Sequence, residues 1–342
     1  MKIQKRTILV TGGAGYIGSH TVVELIRSGY QVVIVDDFSN SNKKNLVNLF
    51  EICGCEIPVE KGSCIDEIFL TQVFKQYSID AVIHFAAFKA VGESVAQPLK
   101  YYQNNISGLI CLLKVMEKAH VSQLIFSSSC TVYGSPENSA LVTENTPLSA
   151  PNSPYGWTKW MAEQIIRDTA KTGKLNAVLL RYFNPIGAHE SGKIGELPSG
   201  VPNNIVPYMT QTAAGIRSKL TVFGDDYPTE DGTCIRDYIH VSDLAIAHIQ
   251  ALSIEANDEP EVFNLGTGKG TSVLELIHAF ELATGKPLNW AFGKRRAGDV
   301  TEIYADVTKA KQILKWESNR NIQQAIEDAW RWEKYRLEHE IS

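Results

Sequence analysis

The chain has 342 residues, of which 44% are hydrophobic and 21% are charged, and its formal net charge is −5. This length is sufficient for a full hydrophobic core, in one large domain or in two interlocked ones. The acidic balance and the ordinary globular composition indicate neither a disordered tail nor a surface for the phosphate backbone of nucleic acids. We therefore expect no nucleic-acid partner.

The sequence also bears on the compartment. The basic residues Met1 to Arg6 lead into the run Thr7 to Val10, which is too short for the apolar region of a signal peptide. No uninterrupted apolar run has membrane-spanning length. The six cysteines are scattered, without a repeated CxxC pair or a histidine spacing that suits zinc. We expect a soluble cytoplasmic protein with reduced thiols, no metal and no membrane partner.

The first chemical motif is a glycine-rich turn. Ile8 to Val10 predicts a buried parallel strand, and Ser19 to Arg27 predicts the helix that follows the turn. Two dinucleotide-loop spacings are present, GxxGxxG at Gly12, Gly15 and Gly18 and GxGxxG at Gly13, Gly15 and Gly18. Glycines let the backbone turn tightly and approach a pyrophosphate at the positive end of a helix. A purely structural glycine turn is the alternative.

The second predicted strand supports the dinucleotide interpretation. It runs from Gln31 to Val35 and ends at Asp36, about 20 residues after the loop, where an acid binds the ribose hydroxyls. An acid at this position repels a 2'-phosphate, so the sequence predicts NAD rather than NADP. Lys43 and Lys44, a short distance downstream, are the charges that would favour the phosphorylated cofactor.

Strand and helix patterns then alternate as in a doubly wound α/β fold with a Rossmann-type parallel sheet. The predicted elements are a helix at Asp66 to Tyr77, a strand at Ala81 to Phe85, a long helix at Pro98 to His120 and strands at Gln123 to Ser128 and Ala177 to Arg181. His84 lies inside an apolar run, which is typical of a core histidine. Cys130 is likewise interpreted as a structural residue and not as a catalyst.

Tyr155 and Lys159 are candidates for proton transfer. They are four residues apart in a helix that Pro154 begins, so they lie on one face about one turn apart. An ammonium at about 4 Å stabilises a phenolate by roughly 4 kcal/mol at an effective dielectric constant of about 20, and a nicotinamide cation would add to this. A chance pair on a surface helix is the alternative.

From about Asn184 the alternation loosens, and a smaller α/β domain is predicted. We assign residues 1–183 to an NAD-binding domain and residues 184–342 mainly to a substrate domain, with the chain able to cross between them. The predicted helices here are Ile205 to Ile216, Asp243 to Ser253 with Ser242 as N-cap, Val273 to Thr284 and Ile322 to Glu338. The predicted strands are Leu220 to Phe223, Val262 to Leu265 and Leu288 to Phe292.

Several spaced stretches together give the chain a family resemblance. They are TGGAGYIG at residues 11–18, KAVGES at 89–94, SSSCTVYG at 127–134, Tyr155 to Lys159, RYFN at 181–184, Pro202 to Asn204, RDYIH at 236–240, and Arg295 to Asp299. In this combination the sequence resembles the UDP-glucose 4-epimerases of the extended short-chain dehydrogenase/reductase superfamily. The resemblance covers nearly the whole chain.

The resemblance implies an enzyme that inverts C4 of UDP-galactose or UDP-glucose through a transient 4-keto sugar. Ser129 and Tyr155 would handle the 4'-hydroxyl, and Lys159 would bind the nicotinamide ribose. The implied NAD site comprises Gly12, Gly15, Tyr16, Ile17, Gly18, Asp36, Asp37, Ser63, Cys64, Phe85, Ala86, Ala87, Lys89, Asn104, Ser127, Tyr155, Lys159 and Phe183. The implied UDP-sugar site comprises Lys89, Ser129, Tyr155, Asn184, Asn204, Ile205, Thr221, Phe223, Arg236, Tyr238, Arg296, Asp299 and Ile303.

Three positions refine these expectations. Ser63 and Cys64 stand where the family usually has aspartate and a hydrophobic residue against adenine, and Ala87 stands where glycine is frequent. Ile303 falls at a position bordering the hexose, which predicts UDP-N-acetyl sugars as secondary substrates. The family, with the long helices at Pro98 to His120 and Pro154 to Thr172, also implies a homodimer built as a helix bundle.

Rival functions differ in the residues that they require. A 4,6-dehydratase needs an Asp-Glu pair before VYG, where this chain has Cys130 and Thr131, so dehydration is rejected. A uronic-acid epimerase or decarboxylase stays open. A cofactor-sensing protein without chemistry would not need Ser129, Tyr155 and Lys159 together.

Overall fold

A seven-stranded sheet with flanking helices dominates the fold, and the predicted doubly wound architecture is confirmed. The computed structural model describes residues 5–136, 139–255, 258–296 and 299–341. The strands of the sheet lie in the order Glu261–Leu265, Asn176–Tyr182, Gln123–Ser127, Ala81–His84, Thr7–Thr11, Gln31–Asp36 and Val59–Lys61. The five ladders from Asn176–Tyr182 to Val59–Lys61 are parallel. The chain order reverses between Thr7–Thr11 and Ala81–His84, which is where such sheets bind ligands.

The strands are β1 (Thr7–Thr11), β2 (Gln31–Asp36), β3 (Val59–Lys61), β4 (Ala81–His84), β5 (Gln123–Ser127), β6 (Leu141–Val142), β7 (Asn176–Tyr182), β8 (Asn184–Ile186), β9 (Leu220–Phe223), β10 (Ile235–Arg236), β11 (Tyr238–His240), β12 (Glu261–Leu265), β13 (Thr271–Ser272), β14 (Trp290–Gly293) and β15 (Glu302–Ala305).

The α-helices are α1 (Tyr16–Arg27), α2 (Lys44–Cys53), α3 (Glu67–Gln76), α4 (Val91–Ala96), α5 (Pro98–Tyr101), α6 (Gly108–Lys118), α7 (Pro154–Ala170), α8 (Ile205–Ala213), α9 (Val241–Ala251), α10 (Val273–Thr284) and α11 (Ile322–Glu338). A 3-10 turn covers Cys130–Tyr133, and π-helical turns cover Tyr102–Ser107 and Ala310–Leu314.

Two compact units divide the chain, and each has its own core. The first unit comprises residues 1–134, 148–181 and 245–263, and the second comprises 135–147, 182–244 and 264–342. The chain therefore crosses between the units more than once. The functional division at residue 183/184 remains a prediction.

The first unit is held by strands that are apolar on both faces. All residues of β1 and β4 are buried, as expected for parallel strands covered by helices on either side. Leu9, Val82 and Leu124 lie in one core cluster with Leu112 and Ile166 of the helices. This packing fixes the carboxyl ends of the strands, where the predicted site residues lie.

The second unit contains three small sheets. One has the order β13-β10-β15-β6, and the others pair β11 with β8 and β14 with β9. Its core joins Met209, Phe280 and Ile326 of three helices. Helix α10 begins with a capping box between Ser272 and Glu275, which satisfies two backbone donors that a helix start leaves without partners.

Two helix predictions need correction. The helix predicted at Pro98 to His120 passes through the π-helical turn at Tyr102–Ser107 and ends at Lys118, because His120 has a left-handed φ of 56°. Ser242 is not the N-cap of α9, since the helix begins at Val241. The side chain of His240 instead accepts the backbone N–H of Ser242, with a distance of 3.0 Å.

Candidate active site

The glycine loop connects β1 to α1 in a conformation that requires glycine. Gly12 has a φ of +72°, and a Cβ there would lie 2.8 Å from the backbone nitrogen of Ala86. A Cβ on Gly18 would lie 2.2 Å from the carbonyl oxygen of Gly12. Gly15 is the N-cap of α1 and makes no side-chain capping bond. The loop thus presents backbone without side chains at the positive N-terminal end of α1. A pyrophosphate could approach it closely there.

Asp36 ends β2 beside this loop. Its Oδ2 accepts the N–H of Ala14 at 3.0 Å, and its Oδ1 accepts the N–H of Phe38 at 2.9 Å and the hydroxyl of Ser41 at 2.7 Å. Burial raises the pKa of this carboxyl, although these hydrogen bonds oppose the rise. Asp37 is exposed and accepts only locally, from Ser39. Asp36 is therefore the acid that the fold holds against the loop.

The remaining predicted NAD residues of the first unit lie at the ends of neighbouring strands. Ser63 accepts a long bond of 3.4 Å from the N–H of Ile65, while Cys64 is buried and has a pKa raised to about 12 by burial. Phe85 packs on the His248 ring, with centroids 4.6 Å apart. Lys89 is exposed, with its Nζ 5.7 Å from the centroid of the Tyr16 ring.

Asn104 and the adjacent Asn105 lie in the π-helical turn. Asn104 donates to the side-chain oxygen of Asn105 at 3.0 Å. Asn105 is buried, accepts the N–H of Phe88 at 2.9 Å and donates to Thr158 at 3.0 Å. The turn therefore joins the segment after β4 to the helix that carries Tyr155.

Lys159 is buried at the carboxyl end of β5. Its Nζ donates to the carbonyl oxygen of Ser127 at 2.6 Å and lies 4.9 Å from the centroid of the Phe126 ring. Burial lowers the pKa of Lys159 to about 8, and the charge of Glu163 partly opposes this. A poised, desolvated ammonium is typical of a functional site.

Tyr155 and Ser129 are also buried in this unit, with 7% and 6% of their surfaces exposed. Pro154 begins α7, and the hydroxyl of Ser153 caps it by accepting the N–H of Gly156 at 3.2 Å. The Ser129 hydroxyl oxygen accepts bonds from the N–H and the hydroxyl of Thr131, at 3.2 and 3.0 Å. Because the Ser129 oxygen is the acceptor in both bonds, its own O–H can donate a hydrogen bond to another group.

A buried ion pair behind this group was missed from the sequence. Glu163 accepts bonds from Arg181 Nε at 2.9 Å and Nη2 at 2.6 Å, and from the hydroxyl of Ser128 at 2.6 Å. Arg181 also donates to the Tyr133 hydroxyl at 3.1 Å. The available signal was the position of Glu163, four residues after Lys159 on the same helical face. The ion pair ties α7 to β7, and the bond from Ser128 ties α7 to the segment directly after β5.

In the second unit, one carboxylate brings two predicted arginines together. Asp299 Oδ1 lies 2.7 Å from Arg296 Nη2 and 3.7 Å from Arg236 Nη2. Arg296 also lies over the Phe223 ring, 5.6 Å from its centroid. Two guanidinium groups converging on one anion are suited to a diphosphate.

The other predicted residues of the second unit have the following surroundings. Asn204 donates to Glu196 at 2.6 Å, and Ile205 is partly buried at the start of α8. Thr221 is exposed on β9, and Phe183 is buried with its N–H on the carbonyl of Leu265. Asn184 pairs with Tyr238, and Ile303 pairs with Arg236. Tyr238 and Ile303 are both largely buried, with 4% and 5% of their surfaces exposed.

His84 is the buried core histidine that the sequence predicts. It contacts Thr11 through Nδ1 at 2.7 Å, and has a pKa lowered to about 3 by burial and by the charge of Lys159. None of the six cysteines, all of which lie in the described part of the chain, forms a disulfide. Within the described ranges, no helix is long and apolar enough to cross a membrane. No group of three or more histidine, cysteine or acidic residues in that part of the chain could hold a metal ion.

The glycine loop, the acid ending β2 and the serine, tyrosine and lysine of the first unit fit NAD and define an extended short-chain dehydrogenase/reductase. A family model described as GDP-mannose 4,6 dehydratase matches residues 9–329. A UDP-glucose 4-epimerase from Bacillus subtilis (strain 168) is 52% identical over 328 residues, which are 95% of this chain and 96% of that protein.

Two solved structures are similar along nearly their whole length. The UDP-glucose 4-epimerase from Bifidobacterium longum, in complex with NAD+ and UDP, is 46% identical with a TM-score of 0.93, covering 97% of this chain and 99% of that one. The enzyme from Stenotrophomonas maltophila, with bound NAD and formylated UDP-arabinopyranose, is 45% identical with a TM-score of 0.94, covering 98% and 99%. The chain belongs to the UDP-glucose 4-epimerase family, and the predicted family and NAD cofactor are confirmed.

Proposed function

We propose that this protein interconverts UDP-galactose and UDP-glucose by inverting C4 of the hexose. The observation that carries the assignment is the 2.6 Å bond from Lys159 Nζ to the Ser127 carbonyl, in a unit that also buries Ser129 and Tyr155. It joins the catalytic helix to the strand end that bears Ser129. Family membership supplies the substrate class.

Bound NAD would supply the reversible oxidation of C4 to a ketone. Tyr155 would take the 4'-hydroxyl proton and later return it, with the charge of Lys159 favouring the phenolate. Ser129 would donate a hydrogen bond to the 4'-oxygen and keep its own proton, which holds the sugar oxygen in place during this transfer. The keto sugar must turn over between the two halves of the reaction, so the hexose has to be held more loosely than the nucleotide.

The cofactor would be held by groups that fit its parts. The loop at Gly12, Gly15 and Gly18 with the start of α1 suits the pyrophosphate, and Asp36 suits the adenosine ribose. Lys159 is assigned to the nicotinamide ribose. The further proposed contacts are Tyr16, Ile17, Asp37, Ser63, Cys64, Phe85, Ala86, Ala87, Lys89, Asn104, Ser127 and Phe183.

The nucleotide would be held by the second unit. Arg236 and Arg296 would bind the diphosphate. In the structure both arginines contact the carboxylate of Asp299 instead, and this carboxylate would be released to bind the uridine ribose. The further proposed contacts in this unit are Asn184, Asn204, Ile205, Thr221, Phe223, Tyr238 and Ile303. Lys89, which belongs to the first unit, is also a proposed contact. The proposed division stays at residues 1–183 for NAD and mainly residues 184–342 for the substrate.

Ile303 supports a secondary activity on UDP-N-acetyl sugars. It is a stiff, β-branched side chain without the ring of a tyrosine, and it pairs with Arg236 in the second unit. A smaller side chain bordering the hexose leaves room for a 2'-acetamido group. We expect this activity to be weaker than that on UDP-galactose.

Dehydration receives no support from the residues before VYG. Cys130 and Thr131 form the 3-10 turn there, and the hydroxyl of Thr131 donates to Ser129. Neither side chain can act as the acid or base of an elimination.

A homodimer and a cytoplasmic location also belong to the proposal. Val95, Leu99 and Ile110 leave 63%, 80% and 38% of their surfaces exposed on α4, α5 and α6, and exposed apolar side chains of this kind are suited to burial against a second subunit. Six cysteines without disulfides suit a reducing compartment. Sedimentation of the purified protein measures the oligomeric state.

The test is incubation of the purified protein with UDP-galactose and no added NAD, followed by separation of the nucleotide sugars. UDP-glucose should accumulate to a fixed ratio from either direction. A parallel incubation with UDP-glucuronic acid distinguishes the uronic-acid alternative. Turnover of that compound with none of UDP-galactose would contradict the proposal.

A further inference from the structure

Asp237 is a buried carboxylate between two strands that belong to different sheets. Arg236 ends β10 in the four-stranded sheet, and Tyr238 begins β11, which pairs with β8. Asp237 itself has no exposed surface. A buried charge is costly unless hydrogen bonds satisfy it, so its partners indicate why it is there.

Four donors surround this carboxylate. Its Oδ1 accepts the N–H and the hydroxyl of Thr267, each at 2.7 Å. Its Oδ2 accepts the N–H of Gly268 at 3.1 Å and that of Ala305 at 3.2 Å. A Cβ on Gly266 would lie 2.3 Å from Oδ2, so the neighbouring backbone is shaped to admit the carboxylate.

The backbone around Asp237 reaches residues that we assign to the UDP-sugar. Its carbonyl oxygen accepts the N–H of Asn184 at 2.9 Å. The bond to Ala305 fixes β15 two residues after Ile303, and residues two apart in a strand share a face. Ile303 in turn pairs with Arg236. One residue thereby connects three separate stretches of the proposed nucleotide-sugar site.

We propose that Asp237 is a positioning residue, whose carboxylate and carbonyl fix the relative placement of Asn184, Arg236 and Ile303 for a UDP-sugar. This inference rests on the proposed function and goes beyond it, because Asp237 itself lacks surface with which to touch a ligand. A one-residue slip of β10 or β15 would turn Arg236 or Ile303 to the opposite face.

The side-chain requirement is strict because all four partners are donors. Three of the partners are backbone N–H groups, which can only donate. An asparagine has one acceptor oxygen and one NH2 group, so in one orientation the N–H groups of Gly268 and Ala305 would both face another donor, and in the other the N–H of Thr267 would, although the Thr267 hydroxyl could turn to accept. Asp237→Asn therefore keeps the volume of the side chain but cannot accept all four hydrogen bonds. Misplacement of binding groups by about 1 Å can reduce activity by about a hundredfold.

Asp243 provides a matched control in the same unit. It is 1% exposed, and its Oδ2 accepts the hydroxyl of Ser318 and the backbone N–H groups of Asn319 and Arg320. Its Oδ1 accepts Arg320 Nη1 at 2.5 Å. This carboxylate organises a segment that carries none of the proposed UDP-sugar residues. Asp243→Asn should therefore lower stability without changing nucleotide binding.

The experiment is calorimetric titration of UDP into the wild-type holoenzyme and both variants, with the melting temperature measured alongside. Asp237→Asn should weaken UDP binding by about tenfold to a hundredfold and change the preference between UDP-galactose and UDP-N-acetylgalactosamine. Asp243→Asn should bind UDP within about twofold of wild type, although both melting temperatures fall. UDP binding that is the same in both variants would overturn the positioning role.

Thr267→Val keeps the test decisive if Asp237→Asn does not fold. It removes one of the four bonds to the carboxylate and keeps the charge. UDP affinity and sugar preference should shift in the same direction by a smaller factor, and an unchanged affinity would overturn the inference. A wild-type protein that does not bind UDP would overturn the proposed function first, so the two failures are distinguishable.

Discussion

Lys159 Nζ donates a 2.6 Å hydrogen bond to the carbonyl oxygen of Ser127, two residues before Ser129. A lysine on the helix that carries Tyr155 is thereby attached to the strand end that carries the candidate serine. The same contact buries an ammonium, and burial lowers its pKa to about 8. Burial of the charged Lys159 side chain therefore lowers the stability of the folded protein, and the same charge has a proposed catalytic role.

Lys159→Met should reduce both turnover and the reduction of bound NAD by substrate. Without the ammonium, the phenol of Tyr155 loses its nearest proposed source of positive charge and should titrate at higher pH. The measurements are kcat and the ultraviolet titration of Tyr155. Lys171→Met, which changes a half-exposed lysine at the end of the same helix, is the control. An unaltered Tyr155 titration in Lys159→Met would contradict the electrostatic role.

Lys159 should also make stability depend on pH. Between a folded pKa of about 8 and the ordinary value of 10.5, the unfolded chain binds more protons at this residue than the folded protein does. The unfolding free energy should therefore rise with pH through this window, by about 3 kcal/mol at most. The cost is fully present below pH 8 and is relieved above it.

The comparison that isolates this effect is the difference in unfolding free energy between wild type and Lys159→Met at pH 7 and pH 10, from urea denaturation. The difference should move in favour of wild type at the higher pH. A difference that stays constant would show that Lys159 does not titrate in this range.

Ser63→Asp should strengthen NAD retention. A carboxylate accepts the adenine amino group better than a hydroxyl does, and the Ser63 hydroxyl now makes only a long 3.4 Å contact to Ile65. The measurement is the cofactor content of the protein after extended dialysis, with Ser63→Ala as the matched change. Equal or lower NAD occupancy in Ser63→Asp would mean that another group already binds adenine.

Ile303→Tyr should selectively depress activity on UDP-N-acetyl sugars. Overfilling a packed site costs roughly 1–3 kcal/mol, which is about tenfold to more than a hundredfold in kcat/KM. Activity on UDP-galactose should fall much less, and Ile303→Val should spare both. Equal losses on the two substrate pairs would show that Ile303 is a buried strand residue and not a size limit.

The parts of the site that the sequence predicted depend on local physics. The glycine loop follows a fully buried strand, and Pro154 at the start of a helix with Ser153 before it marks the position of Tyr155. Both signals lie within a few residues of the groups that they position. The carboxyl ends of parallel strands then gather at one edge of the sheet.

The parts that the sequence did not predict depend on distant partners. Strands of two residues such as β10 and β13 are too short to show alternation. They form because β10 pairs with β13 on one side and with β15 on the other. The partners of Asp237 lie 30, 31 and 68 residues away. The histidine cap of α9 replaces a serine that local preference favoured. Such contacts are set by tertiary packing, which propensity does not encode.

The most direct test of the account is the turnover number of Tyr155→Phe with UDP-galactose, measured together with UDP affinity. The account predicts that kcat falls by about a hundredfold to ten-thousandfold while UDP binding is nearly unchanged, since the phenol acts in proton transfer. Tyr77→Phe, which removes a phenol bonded to Glu60 in the same unit, should retain normal turnover. A Tyr155→Phe protein with a near wild-type rate would contradict the assignment of the catalytic base.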